Sequence, residues 1–353
     1  MKKYIKGIVL VIASTLILSL AACGKDEYSD GPVSEEVNEL NSERVREETA
    51  EELKNTYKRQ AEIAKAKVEV QKQRPNSELI ISDNVGQVGV ASLKREGTLI
   101  PTYIFLPENF KTEKSYPMVI MFSGFSADHN NGTRFDYITA EFTKNGIIVV
   151  QYDNPGYGNS EETNLAYTLS NMKDDAVDVV NYVRDTFNIS KIGAFGYDVG
   201  GRVAMELQVD KMIDFDQIEL LAPFSETSEF IHACFGEENW NTLKAKAIEQ
   251  GMVKYGQQEY SKQWFLDWEE NDMNLAEDFI LAYKNRRCMI IYATDDDWVK
   301  MTTMDSLSNK LGAASIYVTS GGHDLGVRNY ETPKDVSEAV KKQSVDFMKG
   351  LNQ

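Results

Sequence analysis

From Glu78 onward the sequence predicts an α/β domain whose sheet is mostly parallel and covered by helices on both faces, and three observations predict it. Short, largely apolar runs alternate with amphipathic helical stretches almost to the C-terminus. The runs are largely apolar with no polar alternation, as suits strands covered on both faces. One of them, Lys191 to Phe195, leads through Gly196-Tyr197-Asp198-Val199-Gly200-Gly201 straight into a helical pattern. Repeated alternation of this kind builds a doubly wound sheet.

In chain order, Leu79–Ile81, Val85–Ala91 and Leu99–Leu106 read as opening strands that form a hairpin-rich edge. Met118–Phe122, Ile147–Tyr152, Lys191–Phe195 and Ile218–Leu221 are the buried central runs. Helices are expected at Asp174–Phe187 and Val199–Val209, the second placing Val203, Ala204 and Leu207 on its core side. After Pro223 the alternation breaks, and a region rich in Trp and Tyr extends to about Asn285. It resumes with strand Cys288–Tyr292, a helix near Thr302–Leu311, strand Ser315–Val318 and a last helix Val336–Lys349. There are no internal repeats.

The N-terminus speaks to compartment. Lys2, Lys3 and Lys6 precede an apolar run from Ile8 to Leu20. A membrane-spanning helix needs about 20 apolar residues, so the run reads as a signal peptide, residues 1–22. Leu20-Ala21-Ala22-Cys23 resembles the bacterial lipobox, which implies lipid on Cys23 and a chain anchored to the cell membrane on its outer side. Residues 23–76 are polar and charged and read as a spacer followed by a solvated helical stalk, Ser34 to Gln71. Residues 77–353 are long enough for one domain with a substantial core.

A formal charge of −17 argues against a nucleic-acid partner and against docking on anionic lipid beyond the anchor. Besides Cys23 there are only Cys234 and Cys288, which either pair in an oxidising exterior or sit as buried thiols. No metal-ligand spacing is present. The histidines are His129, His232 and His323, which limits the choice of a catalytic base.

Phe195-Gly196-Tyr197-Asp198-Val199-Gly200-Gly201 follows a buried strand and opens a helix, and it resembles the nucleophile elbow of the α/β-hydrolase family, with Asp198 at the nucleophile position. Phe122-Ser123-Gly124-Phe125-Ser126 follows an earlier strand where relatives have His-Gly-x; the backbone N–H groups of Phe125 and Val199 would then form the oxyanion hole. Asp153-Asn154-Pro155-Gly156-Tyr157-Gly158-Asn159-Ser160 is similar to the family's D-x-x-G-x-G-x-S structural turn. The stretch Thr294-Asp295-Asp296-Asp297-Trp298-Val299 falls where the triad acid lies; the D-x-x-V spacing selects Asp296, with Asp295 and Asp297 as alternatives. Ser320-Gly321-Gly322-His323 supplies the late histidine, in the family's order of nucleophile, acid and histidine. The resemblance covers roughly Leu99 to Phe347 and implies an α/β-hydrolase fold with a helical cap at about 224–285.

An aspartate nucleophile has its own chemistry. Attack on an ester would give a mixed anhydride, whereas attack on an sp³ carbon displaces a halide or opens an epoxide and gives an ordinary ester. His323, oriented by Asp296, would then activate water to hydrolyse that ester. The elbow is similar in spacing to those of the dehalogenases and epoxide hydrolases of this fold, while Val199 stands where those carry tryptophan or arginine. The remaining framework looks more like serine esterases and peptidases. The expectation is a hydrolase of a small-molecule substrate that uses Asp198, His323 and Asp296, with no metal or organic cofactor. The alternatives are a catalytically inactive binding lipoprotein and a hydrolase that activates water directly on an ester. Arg202 is a candidate for holding a carboxylate substrate, against the alternative of a helix-surface arginine; Tyr255 and Tyr260 are cap candidates.

Overall fold

The computed structural model describes residues 87–93, 99–126, 136–270, 275–312, 314–325 and 334–353. The expected signal peptide, Cys23, the stalk, the strand at Leu79–Ile81 and His129 lie outside these residues. Among the described residues no helix is long and apolar enough to cross a membrane.

Strands β1 (Gln87–Leu93), β2 (Leu99–Phe105), β3 (Tyr116–Phe122), β4 (Ile148–Tyr152), β5 (Ile189–Tyr197) and β6 (Gln217–Leu221) join one sheet. Two late strands complete it; numbered in chain order they are β9 (Arg287–Ala293) and β10 (Ala314–Thr319), β7 and β8 lying in the intervening segment. The spatial order is β1-β2-β4-β3-β5-β6-β9-β10. The β1–β2 and β2–β4 pairs are antiparallel and every other pair is parallel. The chain leaves β3 to one side for β4 and returns to the other side for β5. The loops after β3 and β5 therefore diverge and leave a crevice at their carboxyl ends, where sites in such sheets form.

Two apolar layers clamp the sheet. One is built by Ile138 and Phe142 of α1 (Asp136–Lys144) and by Val340, Val345, Phe347 and Met348 at the C-terminus. The other takes the buried side of α2 (Leu169–Thr186), where Leu169, Met172, Ala176, Val179, Val180 and Val183 recur at helical spacing, and of α3 (Val199–Val209). The Thr168 side chain accepts the Asn171 N–H at 3.1 Å and so caps α2, worth about 1 kcal/mol. Those expected strands and helices that fall on described residues are present with bounds shifted by a few residues. Helix α1 was not foreseen; its signal, Ile138 and Phe142 four apart, is brief.

Between β6 and β9 lies the segment expected as a helical cap. It contains α4 (Thr227–Cys234), α5 (Glu237–Gln250), α6 (Lys262–Glu270) and α7 (Leu275–Tyr283). Alongside the expected helices the segment holds a short antiparallel hairpin, β7 (Met252–Tyr255) and β8 (Gln258–Ser261). Tyr255 pairs with Gln258 across a two-residue turn in which Gly256 takes φ 60°, a conformation glycine adopts without strain. Helices α8 (Met301–Leu311) and α9 (Lys334–Met348) follow β9 and β10. Cys234 and Cys288 are buried free thiols, which settles the question left open by the sequence.

Glu219 on β6 is fully buried and takes a hydrogen bond from the Ser344 hydroxyl of α9. Burial pushes its carboxyl up to about 8, against the opposing pull of that bond. The group is therefore protonated in the fold at pH values where it ionises in the unfolded chain, and stability falls as pH rises from about 4.5 to about 8. Glu219→Gln, neutral and of the same shape, should flatten that fall; denaturation midpoints at pH 5.5 and 8.5 should differ less in the variant than in the wild type.

Candidate active site

Asp198 stands alone between β5 and α3, at φ 58° and ψ −123°. A non-glycine residue held there stores roughly 1–3 kcal/mol of strain. Its surroundings over-determine it: its N–H donates to the Leu221 carbonyl at 3.0 Å, and its carbonyl accepts the Gly201 N–H at 3.1 Å. The first turn of α3 also lies against the end of β3. A Cβ on Gly200 would stand 2.3 Å from the Phe122 carbonyl oxygen, so only glycine fits. Gly124 plays the same part on the facing loop, where a Cβ would meet Asp198 Oδ2 at 2.9 Å.

That approach places the Phe125 N–H against the carboxylate. It donates to Asp198 Oδ2 at 2.9 Å. Asp198 Oδ1 is buried without a hydrogen-bond partner and stands 3.9 Å from His323 Nε2, which is likewise buried and unpartnered. On the other side of the ring, His323 Nδ1 meets Asp296 Oδ2 at 2.9 Å. Asp296 Oδ1 accepts the N–H groups of Trp298 and Val299 at 2.7 and 3.0 Å, which fixes the carboxylate. Asp295 instead accepts the N–H groups of Gly321 and Gly322 at 2.9 and 3.1 Å, ordering the histidine loop, and Asp297 is exposed. Of the three aspartates, Asp296 is thus the one that meets the histidine. Val199 opens α3 directly after Asp198 and is buried, so the positive end of the helix dipole faces this carboxylate.

Aromatic rings surround the imidazole. Trp298 lies 4.6 Å from it, Phe224 5.4 Å and Tyr197 5.6 Å, measured between ring centres. From the cap, Trp264 stacks on Phe125 at 5.8 Å, and Phe230 meets Phe125 edge-on at 5.2 Å. Glu229 of α4 accepts the Lys300 N–H at 3.2 Å and the Thr303 hydroxyl at 2.7 Å, capping α8, whose own N-cap residue makes no side-chain bond. Sequence reasoning missed Glu229 and Trp298; only Trp298, two residues from Asp296, carried a local signal.

The other candidates fall elsewhere. Arg202 is not on the helix surface. It is fully buried one turn into α3, its Nε bonded to Glu206 at 2.8 Å and its guanidinium 4.5 Å from the ring centre of Trp268. Lys173 joins the same cluster, 3.3 Å from Glu206 and 2.7 Å from Asp210. This engagement makes Arg202 a link between helix and cap and argues against its holding a substrate carboxylate. Tyr260 is buried with its hydroxyl on Gln258, and Tyr255 packs on Phe235 at 5.4 Å. His232 lies on α4 and is not among the groups around Asp198. Ser123, where relatives carry histidine, accepts a 2.8 Å bond from Asn154. In the turn that follows β4, Asp153 accepts the Asn159 N–H at 2.9 Å. Among the described residues there is no group of three or more His, Cys, Asp or Glu that could hold a metal ion.

The electrostatics of His323 follow from this placement. Burial drives an imidazole downward, but the carboxylates of Asp198 and Asp296 outweigh it and lift His323 to about 9. Because the folded value lies above the ordinary 6.5, this stabilisation is fully present below pH 6.5 and is lost as pH rises through about 9. With three histidines in the chain, NMR titration can follow each imidazole. One should titrate near 9 and fall in Asp198→Asn. A wild type in which all three titrate near 6.5 would contradict the arrangement.

Residues 114–326, more than half of the chain, match the model of the family described as serine aminopeptidase, S33. Among solved structures, the chain is similar to Est1E from Butyrivibrio proteoclasticus with ferulic acid bound, at a TM-score of 0.59 and 16% identity over 73% of this chain and 99% of that one. It is similar to an α/β hydrolase, GrgF, from a Penicillium species (TM-score 0.57, 15% identity, 74% and 98% covered). An esterase of Pyrococcus furiosus gives a TM-score of 0.55 at 14% identity, with 76% and 91% covered. At these identities the likeness shows the fold, the α/β-hydrolase fold. A stretch of 72 residues is 35% identical to the protein adenylyltransferase MntA of Thermococcus cleftensis, covering 72% of that protein and 20% of this chain. That match involves one fifth of the chain.

Proposed function

Because the chain belongs to the serine aminopeptidase S33 family, we propose that it hydrolyses a small-molecule substrate with Asp198 as nucleophile. Family and fold make it an esterase- or peptidase-like α/β-hydrolase. The family's name calls for serine, and the elbow of this chain carries Asp198.

One observation carries the reading: the two oxygens of Asp198 are unlike. Oδ2 takes the Phe125 N–H, and Oδ1 is unpartnered beside His323. An ester carbonyl seeking that N–H would find it occupied by the protein's own carboxylate, which disfavours acyl transfer. Attack on carbon needs no such vacancy. Oδ1 forms a C–O bond to an electrophilic sp³ carbon while the leaving group departs with its bonding pair. The resulting ester keeps its carbonyl oxygen, Oδ2, on the Phe125 N–H. His323 then takes a proton from water, whose oxygen attacks Cγ of Asp198. Phe125, with the Val199 N–H as second donor, stabilises the charge on Oδ2, and collapse releases the alcohol with the proton from His323.

The raised imidazole fits this order of events. In the resting site two carboxylates hold His323 protonated at neutral pH. Alkylation neutralises Asp198, leaves Asp296 as the single anionic neighbour, and lowers the imidazole towards the range of a working base.

The test is to incubate the full chain with a panel of aryl esters, epoxides and haloacids, with His323→Gln alongside. The variant should be alkylated but fail to release, and intact mass should show the adduct on Asp198 while the wild type turns over. Turnover with no adduct would replace this mechanism by direct attack of water on an ester. Neither turnover nor adduct would leave a binding protein.

We also propose that lipid on Cys23 anchors the protein outside the cell, a reading supported by the basic start, the apolar run and Ala21-Ala22-Cys23. Cys23→Ser should move the protein from the membrane fraction to the soluble extracytoplasmic fraction. Retention in the membrane fraction would refute the anchor.

A further inference from the structure

The residue after Phe125 is strained and is held from the cap. Ser126 adopts φ 56°, a conformation uncommon for a residue with a side chain. Its N–H donates to the Tyr167 hydroxyl at 3.2 Å. Its own hydroxyl lies 3.0 Å from the Tyr157 hydroxyl, and meets the Gln258 amide at both ends, accepting from Nε2 at 3.0 Å with Oε1 at 3.2 Å. Gln258 opens β8 of the cap hairpin, and its Oε1 accepts from the Tyr157 hydroxyl at 2.8 Å and the Tyr260 hydroxyl at 3.1 Å. The two tyrosine hydroxyls mark Oε1 as the accepting end of the amide, which leaves its N–H group, the nearer end at 3.0 Å, to donate to Ser126. One side chain of the cap thereby grips the loop whose preceding N–H, that of Phe125, meets Asp198 Oδ2.

We propose that Gln258 is a positioning residue for the oxyanion hole: through Ser126 it sets the Phe125 N–H against Asp198, so seating the cap and completing the hole are one event. The hairpin is tied to the loop by polar contacts that lapse if the cap lifts, and with them lapses the restraint on the φ of Ser126. The kinetic consequence rests on the aspartate mechanism above; the structural consequence does not. A hydrogen bond to the attacking carboxylate stabilises its ground state, so loosening it leaves alkylation of Asp198 undiminished. The same bond stabilises the oxyanion formed when water attacks the ester, so loosening it slows release. Deleting an oxyanion donor outright costs about 10²–10³ in rate, and displacing one costs less.

The experiment uses the full chain with Gln258→Met, similar in size but unable to replace the bonds, and Gln258→Glu, which keeps acceptors for Tyr157, Tyr260 and the Ser126 hydroxyl. Hydrogen–deuterium exchange at the Phe125 amide should quicken about tenfold or more in Gln258→Met and return towards wild type in Gln258→Glu. Peptides of β5 and β6 serve as the control for global loosening. In single-turnover measurements, alkylation should stay within about threefold of wild type while release of the adduct falls at least about tenfold. Unchanged exchange at Phe125 in Gln258→Met would overturn the proposal, as would exchange raised equally in β5 and β6, or equal slowing of both chemical steps. If no adduct forms in the wild type either, the aspartate mechanism fails, and the exchange data still decide the role of Gln258.

Discussion

At the end of β5 the backbone of Asp198 turns through φ 58° and presents its carboxylate to the Phe125 N–H at 2.9 Å. Room for that meeting is made on both sides by missing side chains. Gly124 leaves space for the carboxylate, and Gly200 lets the first turn of α3 lie against the carboxyl end of β3. The constraint originates in the sheet order: β3 and β5 are neighbours, but the chain visits β4 between them, so the two loops diverge over a shared crevice. The loop after β3 and the elbow meet through this one close approach, and the Asp296 and His323 loops, at the ends of β9 and β10 beyond β6, reach the same crevice.

Gathering charge in such a place is costly, and the structure compensates it locally. His323 lies between the carboxylates of Asp198 and Asp296, and Asp296 spends its second oxygen on two backbone N–H groups. Behind the elbow, Arg202 is paired with Glu206, and Lys173 closes the cluster. Breaking one member of a buried pair leaves an uncompensated charge and typically costs about 3–5 kcal/mol, so these groups restrain one another's geometry as much as they stabilise the fold. Glu219 takes the other solution and stays protonated. The cap joins this arrangement through polar contacts: Glu229 caps α8 behind the Asp296 loop, and Gln258 meets Ser126 on the loop after β3.

The central strands were legible because burial on both faces writes itself as a largely apolar run, as in Ile147–Val150. The elbow was legible because its glycines mark a backbone approach that tolerates nothing larger. Helix α1 and the β7–β8 hairpin were not, for opposite reasons. The former shows only two core residues at helical spacing, and the latter is four residues a side inside a region whose aromatic content drowns any alternation. Arg202 was misplaced because a charged residue on a short helix reads as solvent-facing unless its partners, Glu206 in the next turn and Trp268 from the cap, are seen together.

The sequence by itself determined the order of the strands along the chain, the place of the elbow, and the chemical identity of Asp198, Asp296 and His323. These are local properties: apolar periodicity, small residues at a turn, and the type of each side chain. Only the tertiary structure decided which of Asp295, Asp296 and Asp297 faces the histidine, which oxygen of Asp198 is held and which is left beside the imidazole, and how far His323 is lifted. Each of those depends on distances between residues from 27 to 125 positions apart along the chain, and Coulombic and hydrogen-bond energies are set by such distances and by burial, neither of which a linear pattern encodes.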